Sequence, residues 1–511
     1  MRSAKVNTGA VIGLDTILVE VEVDISPVGF PGFNIVGLPD KSVEEAKDRV
    51  KAAIRNCQAD FPAKKITINL APADLHKEGS IYDLPIAVGI FLASGQSAYD
   101  PNNDFFIGEL SLDGRLREAN GVLSLALLAK EKGLKRIFLP IENAKEASLV
   151  TNLEIIPVDT LENIFDHLRN IKKINCQKTS TFSFSEEEEY EFDMKDVKGQ
   201  ERAKFALEIA AAGGHNILLK GPPGAGKTML ARAFASILPP LSFEEAVEVT
   251  KIYSVTGKLN KKNPLIARRP YRSPHHTTSA IGLIGGGTYP RPGEISLAHR
   301  GVLFLDELAE FPRHVLEAMR QPLEDGVITV SRAMSQVTYP AKFILIAAQN
   351  PCPCGNLGNS KTVCKCTPTQ ILNYKKKVSG PILDRIDLHL IVPAVDIDKL
   401  TNDKLINEDS KTIIKRVVMA RKKQKERLKG TKLVCNSEMG TKEVKEHCKL
   451  TEDCVTLLKQ AVSKYNLSAR SYYRLIKVAR TIADLQDKQE ITSDHIAQAM
   501  QFRNIEESQL W

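Results

Sequence analysis

Along Leu18–Ile25 apolar and acidic residues alternate, the two-residue period of a half-buried strand. Ser42–Asn56 changes to the three-to-four spacing of an amphipathic helix, Ile66–Leu70 is a short strand, and Leu84–Ser94 is an apolar helix. A Gly-Glu-Leu-Ser-Leu-Asp-Gly stretch from Gly108 reads as a hairpin, and Val122–Leu139 as a helix followed by a strand. This order predicts an α/β domain over residues 1–172 with its own core. Residues 173–193 break the pattern: they are polar, rich in Ser and Thr, and carry the acidic run Glu186–Glu189, as expected of a flexible linker. A second α/β domain is predicted over 194–395. Over 396–511 strand signals vanish, and segments such as Val455–Tyr465 and Ser471–Leu485 predict a helical C-terminal domain. There is no internal repeat.

A chain of 511 residues is too long for one core, in keeping with these three parts. Its net charge of +8 is mildly basic, compatible with nucleic acid without selecting it. The N-terminal segment lacks the continuous apolar run of a signal peptide, and no segment is long enough to span a bilayer. A cytoplasmic protein without a membrane partner is expected.

The second α/β segment carries the candidate chemistry. Asn216–Lys220 is a short apolar strand, followed by Gly221-Pro222-Pro223-Gly224-Ala225-Gly226-Lys227-Thr228 and a helix at Met229–Leu238. That is a phosphate-binding loop in the strand–loop–helix setting the motif requires. Glycines let backbone N–H groups wrap phosphate closely, Lys227 is expected to reach the β- and γ-phosphates of ATP, and the Thr228 hydroxyl to bind Mg²⁺. Downstream, Gly301–Glu307 is an apolar strand ending in two acids. Asp306 is expected in the magnesium shell, and Glu307 as the base that activates the attacking water. A third apolar strand, Phe343–Ala348, ends at Gln349-Asn350, where Asn350 is placed to hold the water or the γ-phosphate. Asn before Pro alone would indicate only a turn.

Four of the nine cysteines, Cys352, Cys354, Cys364 and Cys366, fall in one short window. A disulfide framework would spread them out, so a closed structural Zn²⁺ site is the favoured reading, with free thiols or disulfides as the alternative. Arg268, Arg269 and Arg272 cluster near Tyr271 and His275-His276, and a denser basic run, Arg421–Lys429, lies on a predicted helix where a solvated face is the simplest reading. The two histidines lack nearby partners for a metal.

Together these residues resemble the magnesium-chelatase-like AAA+ family, in its branch of bacterial competence proteins. The resemblance runs through Arg269–His276, Pro290–His299, Gly301–Glu307, Gln321–Asp325, Asn350–Gly355 and Ala469–Arg474. It implies an AAA+ core over 194–395 and a helical lid over 396–511. It also implies that Arg385 is an arginine finger acting on a neighbouring subunit and Arg470 the sensor arginine of the lid, where each alone would read as a surface salt bridge. A finger acting in trans implies a homo-oligomeric ring, expected to be a hexamer, with two insertions facing its pore: Ile266–Gly293 and a hairpin at Val327–Thr338. ATP-driven branch migration of DNA is the implied activity, with Arg268, Arg269, Arg272 and Arg291 as candidate DNA contacts. The first domain resembles the Lon-type protease fold, but Ile81 stands where the nucleophilic serine belongs, Ser80 falls one position early, and Leu125 or a neighbour replaces the lysine. A serine without its base is a poor nucleophile, so the domain is expected to be catalytically silent. That disfavours an ATP-dependent protease. A chelatase-type motor remodelling a partner protein remains the alternative to a DNA motor.

Overall fold

The computed structural model of the protein describes residues 3–177, 190–260, 263–287, 290–331, 336–358, 362–394, 407–465 and 467–503. The acidic run Glu186–Glu189 and residues 332–335 of the expected hairpin lie outside the described residues. The chain divides into two compact units, Met1–Phe184 with Phe243–Ile266, and Ser185–Ser242 with Ala267–Trp511.

The first unit is built on a seven-stranded mixed sheet. Its strands are β1 (Ser3–Ile12), β2 (Asp15–Ser26), β3 (Gly32–Val36), β4 (Lys65–Ala71), β5 (Asp104–Phe106), β8 (Arg136–Pro140) and β9 (Glu154–Val158), in the order β3-β4-β2-β1-β5-β8-β9. A small ladder of β6 (Glu109–Leu110) and β7 (Leu116–Arg117) forms the hairpin read from the glycines. In β2 the alternation resolves into buried Val19, Val21, Val23 and Ile25, while Glu20 and Glu22 face Lys5 across the β1–β2 pair. The helix Asp83–Ala93 shows no polar face because every one of its residues is buried. Its one charge, Asp83, is paired with Arg49 at 2.7 Å, as a buried carboxylate must be.

The helix Phe243–Val255 belongs to this unit although it falls within the segment read from sequence as one ATPase core. It packs on the helix Val122–Glu131, with Val247 and Leu265 joining the same apolar cluster. Ser254 donates a hydrogen bond to buried Glu146, and Gly121 N–H donates to the Ser254 carbonyl at 3.2 Å. Within the segment 194–395 the chain leaves the second compact unit at Phe243 and returns at Ala267.

The second unit holds a five-stranded sheet of β10 (Ile217–Lys220), β11 (Tyr271–Arg272), β14 (Val302–Leu305), β17 (Ile344–Gln349) and β18 (Leu388–Ile391), ordered β11-β14-β17-β10-β18 with every pair parallel. Strands buried on both faces read as unbroken apolar runs, which is why β10, β14 and β17 were legible, whereas half-buried β11 falls inside the stretch Ile266–Gly293 expected as an insertion. Two hairpins accompany it, β12 (Gly285–Gly286) with β13 (Arg291–Pro292), and β15 (Val327–Ser331) with β16 (Gln336–Pro340). Among the described residues the helices Ser410–Arg427, Thr441–His447, Glu452–Tyr465, Ala469–Leu485 and Ser493–Gln501 follow. They share one apolar cluster with the strands and with the helix Glu201–Gly213. Among the described residues no helix is long and apolar enough to cross a membrane.

A buried polar network joins the sheet to these helices. His215 Nε2 meets Thr481 Oγ1 at 2.8 Å, and Asp387 accepts from Asn216 N–H at 3.0 Å and from Arg474. Burial lowers the pKa of His215, and burial beside Arg503 and Lys220 pushes His389 down to about 3. Unfolded histidine titrates near pH 6.5, so below that pH the unfolded chain takes up protons the fold refuses. Stability from these groups is complete above about pH 6.5 and falls as the medium is acidified, by up to about 1.4 kcal/mol per pH unit for each. The thermal midpoint is expected to drop between pH 7 and pH 5, and to drop less in His389→Gln. A flat profile in the native chain would contradict this.

Candidate nucleotide and metal site

The strands β10, β14 and β17 end side by side, and the parallel register brings the residues that follow them to one edge, where open α/β sheets bind ligands. The phosphate loop leaves β10 and enters the helix Lys227–Phe234 through Gly226 at φ +81°, a left-handed backbone that favours glycine. Gly221 is required for a different reason: a Cβ there would stand 2.2 Å from the Val392 carbonyl oxygen. Lys227 Nζ donates to the carbonyls of Gly221 and Pro222 at 2.8 and 2.9 Å and to Asn350 Oδ1 at 3.1 Å. Burial lowers its pKa while Asp306 and Glu307 oppose that shift. Thr228 Oγ1 donates to Asp306 Oδ2 at 2.9 Å, so hydroxyl and carboxylate already face one another as two ligands of a magnesium ion would. Glu307 sits at φ +51°, with His276 Nδ1 3.5 Å from its carboxylate. The left-handed backbone turns Glu307 out of the strand direction. A cavity of about 630 Å³ opens here, lined by Thr228, Arg232, Tyr271, Phe304, Asp306 and Glu307. Pro222, Pro223, Gly224 and Ala225 complete the loop, and Gln200 Nε2 donates to the Ala225 carbonyl at 2.7 Å.

The structure thus brings the phosphate loop, Asp306, Glu307 and Asn350 together. Arg385 and Arg470 meet elsewhere, on Glu324. Arg470 donates to Glu324 Oε1 at 2.8 Å and Arg385 to Oε2, with a further bond from Arg385 to the Pro381 carbonyl at 2.8 Å. Arg385 is 7% exposed, and among the described residues its Nε has no hydrogen-bond partner. Although partial burial works against it, the two guanidinium groups hold the Glu324 carboxyl below its usual range. The sequence reading missed Glu324. The only signal was its place within Gln321–Asp325, one of the stretches that carry the resemblance.

The four cysteines converge, all Sγ atoms lying within 4.8 Å of one another. Three separations are 3.4, 3.6 and 3.6 Å, near the edge of about 3.8 Å of a tetrahedron with Zn–S bonds of about 2.3 Å. Backbone N–H groups of Asn356 and Lys365 bring the Cys354 thiol down to about 6. The donor set fits zinc, and four protein ligands leave no open position for catalysis.

Of the four arginines expected as DNA contacts, two are engaged within the second unit. Arg269 spends its guanidinium on the carbonyls of Pro239 and Arg300 at 2.7 and 2.6 Å, and Arg272 grips Glu294 through two bonds of 2.6 and 2.8 Å. Backbone carbonyls near a strand start need donors, and the two guanidiniums supply them and a bidentate pair. Arg268 lies over the Tyr190 ring at 4.8 Å, while Arg291 in β13 is exposed.

Three family models match the chain: magnesium chelatase, subunit ChlI, over residues 193–400; subunit ChlI of Mg-chelatase over 21–143; and the subunit ChlI C-terminal model over 407–503. The chain is 44% identical over 509 residues to the competence protein ComM of Haemophilus influenzae, covering 98% of both. The chain is a ComM/YifB-type member of the magnesium-chelatase-like family. The YifB protein of Escherichia coli is 43% identical over 98% of this chain and 97% of its own length. The magnesium-chelatase 38 kDa subunit of Rhodobacter capsulatus is 27% identical over 31% of the chain and half of its own. Membership of this AAA+ family points to an ATPase, for which nucleotide and Mg²⁺ are the expected cofactors.

Proposed function

We propose that this chain is a Mg-ATP-driven ring motor, a hexamer in the cytoplasm, that moves branched or single-stranded DNA in recombination or natural transformation. The motor half is carried by the convergence of Lys227, Thr228, Asp306, Glu307 and Asn350 at three adjacent strand ends. The DNA half is carried by likeness along nearly the whole chain to a competence protein. When bound, Mg²⁺ would neutralise phosphate charge between Thr228 and Asp306. Glu307, which lines the cavity, takes the proton of the attacking water. Lys227 exchanges its loop carbonyls for phosphate oxygens, and Asn350 holds the lysine or the water.

Arg385 and Arg470 complete a neighbour's site in this reading. Their shared anion, Glu324, reduces the repulsion of two guanidinium groups brought to one place, and a γ-phosphate would give the pair a second shared anion. The first unit handles substrate or assembly rather than cleaving peptides. Ser80 donates to Glu109 instead of to a lysine, Leu125 is fully buried in the core, and buried Lys77 donates to the Pro72 carbonyl. The four cysteines hold a structural Zn²⁺.

The test is the steady-state ATPase rate without DNA, with single-stranded DNA and with a branched junction. The expected result is stimulation by DNA that fades as salt is raised. A rate indifferent to every DNA would retain the ATPase and overturn DNA as its substrate, leaving a partner protein, as in chelatase-type motors.

A further inference from the structure

The helix Ser410–Arg427 sorts its cations by face. On the side turned to the second unit's interior, Arg416 bonds Glu208 at 2.6 Å, Arg421 the Ala211 carbonyl at 2.9 Å, Lys423 the Asp484 carbonyl at 3.1 Å, and Arg427 Asp484. On the other side Lys411, Lys415, Lys422 and Lys425 are all exposed, and among the described residues none of the four has an ion-pair partner. At 3.6 residues per turn these four fall within an arc of about 80°, along about 21 Å of helix. Lys429, just past the helix end, is exposed as well. The helix has one acid, Glu426, at the margin of the stripe.

Two features set this stripe apart from an ordinary solvated face. Solvated helix faces interleave both signs, because like charges three or four residues apart repel, whereas here Lys411–Lys415 and Lys422–Lys425 are like-charge neighbours with no carboxylate between them. The residue types are also divided: planar arginines make most of the fixed internal bonds, while the exposed cations of the outer face are all lysine, with Val418 exposed between Lys415 and Lys422. Lysine is a flexible point charge suited to phosphate without sequence preference. Along the helix axis the four are separated by about 6, 10 and 5 Å, and such a row of cations suits a partner with a row of anions.

We infer that the outer lysine face of Ser410–Arg427 is a track for the phosphate backbone of duplex DNA, separate from the insertions expected to face the pore. This rests on the proposed DNA substrate and adds a second place where DNA is held. The binding is non-specific and electrostatic. Each neutralised phosphate releases counterions, so four contacts contribute about −3.6 to the slope of log K against log salt.

The experiment measures binding of the full-length chain to a fluorescein-labelled duplex by anisotropy across a salt series. It compares the native chain with a Lys411→Gln, Lys415→Gln, Lys422→Gln, Lys425→Gln variant and with Glu426→Lys. The fourfold variant is expected to lose about three to four units of salt slope, with its DNA-free ATPase rate unchanged. Glu426→Lys is expected to steepen the slope by about one unit. Because one variant weakens and the other tightens, misfolding cannot mimic the pair of results. Unchanged slopes in both variants, with the native chain binding duplex, would overturn the lysine track and leave the DNA reading standing. A native chain that binds no duplex even at low salt would overturn the lysine track, and one that binds neither duplex, single strand nor junction would overturn the DNA reading as well.

Discussion

Replacing Arg385 by alanine is expected to lower the ATPase rate by about 10³-fold or more, the scale on which an arginine stabilises charge developing on a transferred phosphoryl group. Arg385 is buried, so a loss of this size could also come from a damaged fold. Mixing separates the two. Glu307→Gln keeps its arginines but lacks the base, and alone is expected to lose about 10²- to 10⁴-fold in rate. In a mixed ring the Glu307→Gln subunit donates Arg385 to the intact site of an Arg385→Ala neighbour, and activity returns in proportion to such pairs. Two inactive variants that stay inactive when mixed would contradict donation between subunits. Glu324→Gln belongs to the same series. If Glu324 only gathers Arg385 and Arg470, this variant is a poor donor with a sound site of its own, and mixing it with Glu307→Gln restores its rate.

Removing zinc is expected to weaken nucleotide binding as well as stability. The reason is a contact that the cysteine spacing does not reveal. Gly355, within the cysteine loop at φ +76°, lies so close to the phosphate loop that a Cβ there would stand 2.5 Å from Pro223 Cδ. A metal closing Cys352, Cys354, Cys364 and Cys366 therefore stiffens a segment that buttresses the phosphate loop from outside. Structural zinc contributes folding free energy directly, because the site does not exist in the unfolded chain. The purified chain is expected to carry one zinc per molecule by elemental analysis, and Cys354→Ser to carry close to none. In that variant the half-saturating ATP concentration is expected to rise roughly tenfold, the effect of a small displacement of a binding loop. Full nucleotide affinity in a zinc-free chain would disconnect the two sites.

The phosphate loop, the acid pair and Asn350 could be read in the sequence because each follows a short apolar strand. Strands such as Val302–Leu305 are buried on both faces, so their ends stand out wherever polarity returns. The cysteine cluster was equally visible because all four ligands come from one window. The sequence also carried the family, since its motifs lie in local stretches. Composition and spacing alone could not tell which cations are committed. Arg269 and Arg272 look free in the sequence, yet the fold turns them onto carbonyls and Glu294, whereas the lysines of Ser410–Arg427 differ from their neighbours only in the face they occupy.

What the sequence determined by itself is therefore the chemistry held within single loops: the glycines, lysine and threonine of one turn, two acids at one strand end, and four thiols in one window. Local chain geometry is enough to bring such groups together. The tertiary structure decided everything that depends on distant partners. It set Arg385 and Arg470 on Glu324, Gly355 against Pro223, and Phe243–Ile266 in the first unit rather than the second. These contacts join residues tens to more than a hundred positions apart, and their energies come from packing and charge pairing across elements. No local periodicity encodes that.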